Sequence, residues 1–201
     1  FWGNFYVDVD VPFVKGLNYR LNFSQNLINT KKYNFNPWGN NLTGVGSKKN
    51  DSEYSWTVDN ILTYKHRFDD HDVNATFVYG AEKRVYEITE ATGKDFSNDV
   101  LGFNNLGAAD AALQQISSSA WQETSLYTMF RLGYTYKDRY LFTGTVRRDG
   151  FSGFSKSNKF AVFPSAAAAW RISEEDFLKE NVNWVDDLKL RFSYGVNGNR
   201  T

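Results

Sequence analysis

The chain has 201 residues with 23 basic and 23 acidic side chains, a formal net charge of zero, and neither sign gathers into a long run; a polyelectrolyte contact is excluded as a working reading, and no nucleic-acid partner is expected. Aromatic residues make up 17% of it, there is one methionine and cysteine is absent, a balance that suits exported β-structure with amphipathic rings at a membrane interface and that rules out a thiol nucleophile. No apolar stretch reaches the roughly 18 residues of a spanning helix. The opening Phe1-Trp2-Gly3-Asn4-Phe5 lacks the pattern of a signal peptide, which leads us to expect a processed chain or a piece of a longer one.

Along the chain the dominant pattern is alternation of apolar and polar residues, the period of a strand whose two faces meet different surroundings. The first run sets Phe5, Val7, Val9 and Val11 against Asp8 and Asp10. The second sets Leu17, Tyr19, Leu21 and Phe23 against Asn18, Arg20, Asn22 and Ser24. In the third, Tyr54, Trp56, Val58, Leu62 and Tyr64 oppose Ser55, Thr57, Asp59, Thr63 and Lys65, with Asn60 breaching the apolar side. The fourth places Val73, Ala75, Phe77, Tyr79 and Ala81 against Asn74, Thr76 and Glu82. In the second half, Leu126 to Tyr136 is followed by the turn Lys137-Asp138-Arg139 and its hairpin partner Tyr140 to Arg148. Val162, Ala166, Ala168 and Trp170 then share a side, and Leu188, Leu190, Phe192, Tyr194 and Val196 alternate with Lys189, Arg191, Ser193 and Asn197.

Connection lengths alternate too. Residues 12 to 16, 66 to 72 and 137 to 139 read as short turns; 29 to 52, 85 to 120 and, more briefly, 149 to 158 read as loops, the pattern of an outer-membrane barrel with short periplasmic turns and long extracellular loops. Residues 173 to 186 break that rule by being long on the short side, and Ser173 with Asp176 reads as a cap for a helical turn before Phe177 and Leu178. Strands of about ten residues, rising roughly 3.3 Å each and tilted about 45°, cross roughly 23 Å, close to the apolar band of such barrels. Tyr64, Tyr136, Tyr140 and Trp170 at strand ends suit an interfacial girdle. The expected fold is therefore all-β: an antiparallel transmembrane β-barrel segment of about eight strands, a curved open sheet with long extracellular loops. Asp8, Asp10, Arg20, Asp59, Arg131, Arg147 and Arg191 are expected to face the lumen. A complete eight-stranded barrel with a structural or adhesive role and a soluble carbohydrate-binding sandwich stay open as alternatives.

Chemistry is sparse. His66 and His71 with Asp69, Asp70 and Asp72 have the donor types of a metal site, but they sit in a short turn and read as solvated charge, so no metal is expected. Gly44-Val45-Gly46-Ser47-Lys48 lacks the spacing of a phosphate loop, and no Gly-x-Ser-x-Gly elbow occurs; neither a catalytic residue nor a cofactor is expected. Tyr33, Phe35, Trp38, Asn40 and Asn41 combine rings with amides, the groups that capture sugars or peptides, and stand as candidate substrate-binding residues; packing of the rings onto their own loop is the competing reading.

Tyr140-Leu-Phe-Thr-Gly-Thr-Val-Arg-Arg-Asp-Gly150, followed by Phe163-Pro-Ser and Ala169-Trp-Arg-Ile-Ser-Glu-Glu-Asp-Phe177, closely resembles the barrel of SusC/RagA-type TonB-dependent transporters of Bacteroidetes. Leu101 to Asp110 and Val185 to Asn199 are similar to the same family; Phe151 and Gly153 depart from it. The resemblance covers residues 100 to 200 by motif and the first half by pattern. It implies import of bulky nutrients, glycans or peptides, through a plugged barrel of the roughly 22-stranded kind. It further implies location in the outer membrane of a Gram-negative bacterium among its lipids, a SusD-like surface lipoprotein as partner, and energy from the TonB complex. Residues 1–201 would then be part of the barrel domain, with the plug domain, the TonB box and the remaining strands outside them.

Overall fold

A strand with two unlike faces is stable only where each face meets its own surroundings, and the computed structural model assembles eight of them side by side. It describes residues 1–37, 44–155, 159–180 and 184–198. The strands are β1 (Trp2–Asp10), β2 (Leu17–Asn36), β3 (Val45–Phe68), β4 (His71–Lys94), β5 (Gln115–Tyr136), β6 (Tyr140–Phe151), β7 (Phe160–Arg171) and β8 (Lys189–Gly195), with one helical turn, α1 (Asp176–Lys179), between the last two. They form a single sheet in chain order, with β1 and β8 at its two ends. The sheet is open, unlike the complete small barrel held as an alternative.

Register is explicit in the second half. Tyr136 faces Tyr140 and Met129 faces Arg147 across β5 and β6; Thr143 faces Ala167 across β6 and β7; Ala169 faces Arg191 across β7 and β8. Lys137 and Asp138 both hold positive φ, at 52° and 53°, and Arg139 N donates to Tyr136 O at 3.0 Å. That is the primed turn whose twist matches the strands it joins.

The chain divides into two compact units. One contains Phe1–Gly3, Gln25–Trp56 and Lys83–Glu123; the other contains Asn4–Ser24, Thr57–Glu82 and everything from Thr124 on. The second unit holds the turns at 69–70 and 137–139 and all of β6 to β8. The first unit holds the fully buried Phe96 and the buried Ala109, which bridge to each other. Phe35 meets Phe96 edge-on at 5.1 Å between ring centroids. Gly46 is required beneath them, since a Cβ there would lie 2.9 Å from both Leu106 Cδ2 and Phe96 Cζ.

Three expectations are corrected. Residues 29 to 52 and 85 to 120 are not loops throughout: β2 runs on to Asn36, β3 starts at Val45, β4 runs to Lys94 and β5 starts at Gln115. Strands of 20 to 24 residues are about twice as long as the apolar band requires at roughly 3.3 Å per residue with barrel-like tilt. A hairpin wetted on both faces keeps its backbone ladder without an apolar stripe, so polar sequence such as Asn29-Thr-Lys-Lys32 stays paired. The turn read at 66 to 72 shrinks to 69–70, because alternation through His66 and Phe68 belongs to β3. Finally, α1 is preceded by Glu175, which makes no side-chain cap; Ser173 instead donates to Asp187 Oδ1 at 3.2 Å.

Candidate functional site

Along β6, exposure alternates in the opposite sense to a water-soluble sheet. Phe142 is 52% exposed and Val146 49%, whereas Thr143, Thr145 and Arg147 between them are half-buried. Cross-strand register extends the contrast. Phe142 lies beside Tyr134 and Ala168, and Val146 beside Phe130 and Pro164. Phe192 and Tyr194, both mostly exposed, continue the face on β8 opposite Ala168 and Ala166. Large apolar side chains left outward over four strands make a surface that water would penalise and hydrocarbon would not.

At the short-turn end of this face the rings form a belt. Tyr64, His66, Phe68 and His71 follow one another with centroids 5.1 to 6.0 Å apart. His71 continues to Tyr136 at 5.1 Å, Tyr136 to Tyr140 at 6.4 Å, and Tyr140 to Trp170 at 6.5 Å. Rings with an apolar body and a polar tip occupy a membrane interface in this way. The two histidines that had the donor types of a metal site are members of the belt: His71 Nδ1 lies 2.7 Å from Tyr134 Oη. Among the described residues no cluster of metal-binding side chains occurs.

One carboxylate anchors the belt. Glu175 Oε1 accepts from Tyr140 Oη at 2.6 Å and from Trp170 Nε1 at 2.9 Å, while Oε2 accepts from Arg139 at 3.0 Å. Arg139 also pairs with Asp176 at 2.6 Å. The Tyr140 hydroxyl first, then the Trp170 indole and the Arg139 charge, hold the Glu175 carboxyl below its ordinary range against the opposing effect of burial. Arg139, Tyr140, Trp170, Glu175 and Asp176 thus form one bonded cluster, which their sequence spacing alone did not reveal.

The opposite face is polar and cross-linked. In β1 and β2, Asn18 Nδ2 donates to both Asp8 and Asp10, at 2.5 and 3.0 Å, and Arg20 lies 3.8 Å from Asp8 and 4.7 Å over the Tyr6 ring. Asp59 accepts from the Tyr127 hydroxyl, Arg147 stacks on that ring at 4.9 Å, and Arg147 Nε binds Asp149 at 2.8 Å. Gly80 leaves room for Tyr127, whose ring occupies the place a Cβ would take. Asn60, the breach in the apolar pattern, accepts from Tyr19 Oη at 2.7 Å, which removes the cost of a bare amide there.

Of the residues expected to bind substrate, Tyr33 and Phe35 lie in β2 rather than in a loop. Tyr33 donates to Asn50 at 3.0 Å and packs 5.6 Å from Phe103; Phe35 packs on Phe96. Trp38, Asn40 and Asn41 lie outside the described residues. Also in the first unit, Arg84 makes two 2.8 Å bonds to Glu53, approaches Glu123 at 3.8 Å and lies 5.5 Å over Trp121.

An open antiparallel sheet with an outward apolar face, an aromatic belt and a bonded polar face is transmembrane β-barrel wall. No family model matches the chain. It is 34% identical over 201 residues to TonB-dependent receptor P3 of Formosa agariphila, across 98% of the chain and 20% of that receptor. TonB-dependent receptor P26 of the same organism is 37% identical over 209 residues, across 100% of the chain and 21% of the receptor. TonB-dependent receptor SusC of Bacteroides thetaiotaomicron is 47% identical over 89 residues, 44% of the chain and 9% of SusC. In structure, the RagAB peptide transporter superposes with a TM-score of 0.84 at 23% identity, over 96% of this chain and 22% of that one. Over nearly its whole length the chain is thus similar to a stretch of TonB-dependent receptors, with SusC among them over 89 residues, and it spans about a fifth of the length of the curated relatives it matches.

Proposed function

We propose that the chain is part of the barrel domain of an outer-membrane importer in a Gram-negative bacterium, energised through TonB and working with a SusD-like surface lipoprotein. Its cargo is a bulky nutrient, a glycan or a peptide, and the wall guides that cargo without making or breaking bonds in it. The observation that carries the reading is the inverted exposure of β5 to β8, which suits lipid on one side and a wet passage on the other. Asp8, Asp10, Arg20, Asp59, Arg131, Arg147 and Arg191 line that passage. Tyr33, Phe35, Trp38, Asn40 and Asn41 contribute to cargo capture. The plug and the TonB box belong to parts of the receptor outside residues 1–201. Receptor names among the relatives support the TonB dependence, and a peptide transporter among the structural neighbours keeps peptides beside glycans.

The test uses the full-length receptor in its own cell. Tagged receptor should fractionate with outer membranes and co-purify with a lipoprotein, and uptake of fluorescent oligosaccharides or peptides should require both the receptor and TonB. Trp38→Ala should raise the half-saturating nutrient concentration without lowering receptor abundance. Recovery of the receptor in the soluble fraction, or uptake indifferent to TonB, would overturn the proposal.

A further inference from the structure

The first unit carries a group of rings and charges on its long strands. Trp121 on β5 and Tyr86 on β4 stack with ring centroids 5.5 Å apart and planes 24° from parallel, yet Trp121 stays 43% exposed. That exposure is not the accident of a chain end, because β5 is an inner strand of the sheet, between β4 and β6. An exposed indole gives up the stabilisation that its burial would bring, and this one does so beside ionised groups. Arg84 grips Glu53 by two bonds of 2.8 Å and lies 5.5 Å over the Trp121 ring. Glu123, two residues from Trp121 and so on the same side of β5, stands 3.8 Å from Arg84, beyond hydrogen-bond reach. Among the described residues its carboxylate accepts no hydrogen bond. All five side chains belong to the first unit.

We propose that Trp121 and Glu123 form a platform for a neutral sugar ring of a glycan. The occupant follows from what the site rejects. A cationic ligand is refused because Arg84 already holds the cation's place over the indole. A carboxylated or sulfated ligand meets two carboxylates, Glu53 and Glu123, for one guanidinium. A purely apolar group covers the ring but strips water from Glu123 without replacing its hydrogen bonds. A peptide brings an acceptor-only carbonyl with every N–H, and a carbonyl set against Glu123 finds no donor there. A neutral pyranose meets both demands: its C–H face covers the indole, and its hydroxyls turn their donors toward the open carboxylate in charge-assisted bonds. Tyr86 and the Arg84–Glu53 pair hold the indole in place beforehand, which lowers the ordering cost of binding. The inference rests on the importer reading and deepens it by narrowing the cargo to a glycan, but binding to purified receptor tests it apart from transport.

The experiment titrates full-length receptor in detergent with laminarihexaose, mannohexaose and xylohexaose, and with oligogalacturonate and a neutral proline-rich hexapeptide as competitors. At least one neutral hexasaccharide should bind, and Trp121→Ala should weaken it about tenfold or more. Trp121→Phe, which keeps a ring, should lose less and carries the test if the alanine variant fails to fold. Glu123→Gln should weaken binding about threefold or more, whereas Gln122→Ala, on the other side of β5, should leave it unchanged. Failure of all the neutral hexasaccharides to bind in a manner that depends on Trp121 overturns the platform. Tighter binding of oligogalacturonate or the hexapeptide through Trp121 overturns the sugar assignment. A glycan bound through Trp121 but not taken up by cells keeps the platform and loses the importer reading. Binding and uptake both undiminished in Trp121→Ala lose the platform and keep the importer.

Discussion

The sheet of β5 to β8 and the 95–114 segment treat aromatic side chains in opposite ways. In the sheet, Phe142, Phe192 and Tyr194 stand outward and are exposed, whereas Phe96 in the segment is wholly enclosed. The first arrangement leaves its stabilisation to a surrounding apolar medium; the second excludes water by side-chain packing within the protein. Hydrophobicity alone therefore does not identify a core in such a chain. Which face is cross-linked by hydrogen bonds is the better guide.

That contrast can be broken at its strongest point first. Phe96→Ala should cost about 3–5 kcal/mol of local stability, read as faster proteolysis within residues 95–114 while β5 to β8 stay resistant in detergent. Val146→Arg, on the outward face, should cost about 2–4 kcal/mol near the bilayer midplane, measured as lost heat-modifiable receptor in outer membranes. Ala161→Arg, opposite Asp149 on the polar face, should be tolerated, and equal damage from the two would refute the assignment of faces. Asn60→Ala should cost about 1 kcal/mol by stranding the Tyr19 hydroxyl, visible as a lower denaturant midpoint. The smallest expected effect is on pH dependence. Because the folded Glu175 carboxyl is held below its ordinary range, its contribution is complete above that range and fades as pH falls through the lowered value. Wild-type receptor should lose melting temperature on acidification below about pH 5, and Glu175→Gln should start lower and lose less.

Much of the sheet was legible because Leu17 to Phe23 and Leu188 to Val196 face unlike media, so chemistry and geometry share a period of two. The extensions to Asn36 and Lys94 were not, since a strand wet on both sides has no reason to alternate. His66 and His71 read as solvated turn charge for a related reason: charge and donor chemistry are visible in a sequence, whereas the stacking of His71 depends on Tyr134 and Tyr136 from β5. Glu175 was read only as a member of the motif from Ala169 to Phe177. Its partners Tyr140 and Trp170 are brought to it by the β6–β7 register, which no local pattern encodes. The binding role of Tyr33 and Phe35 stays a proposal, since both rings already have partners in the chain.

Glu175 also sets a limit on movement. By gathering a phenol from β6, an indole from β7 and a guanidinium from the turn before β6 onto one carboxylate, it fixes those tips at a common depth. The β6 and β7 strands are fastened there at one end, and any slip of one along the other would have to strain these bonds first.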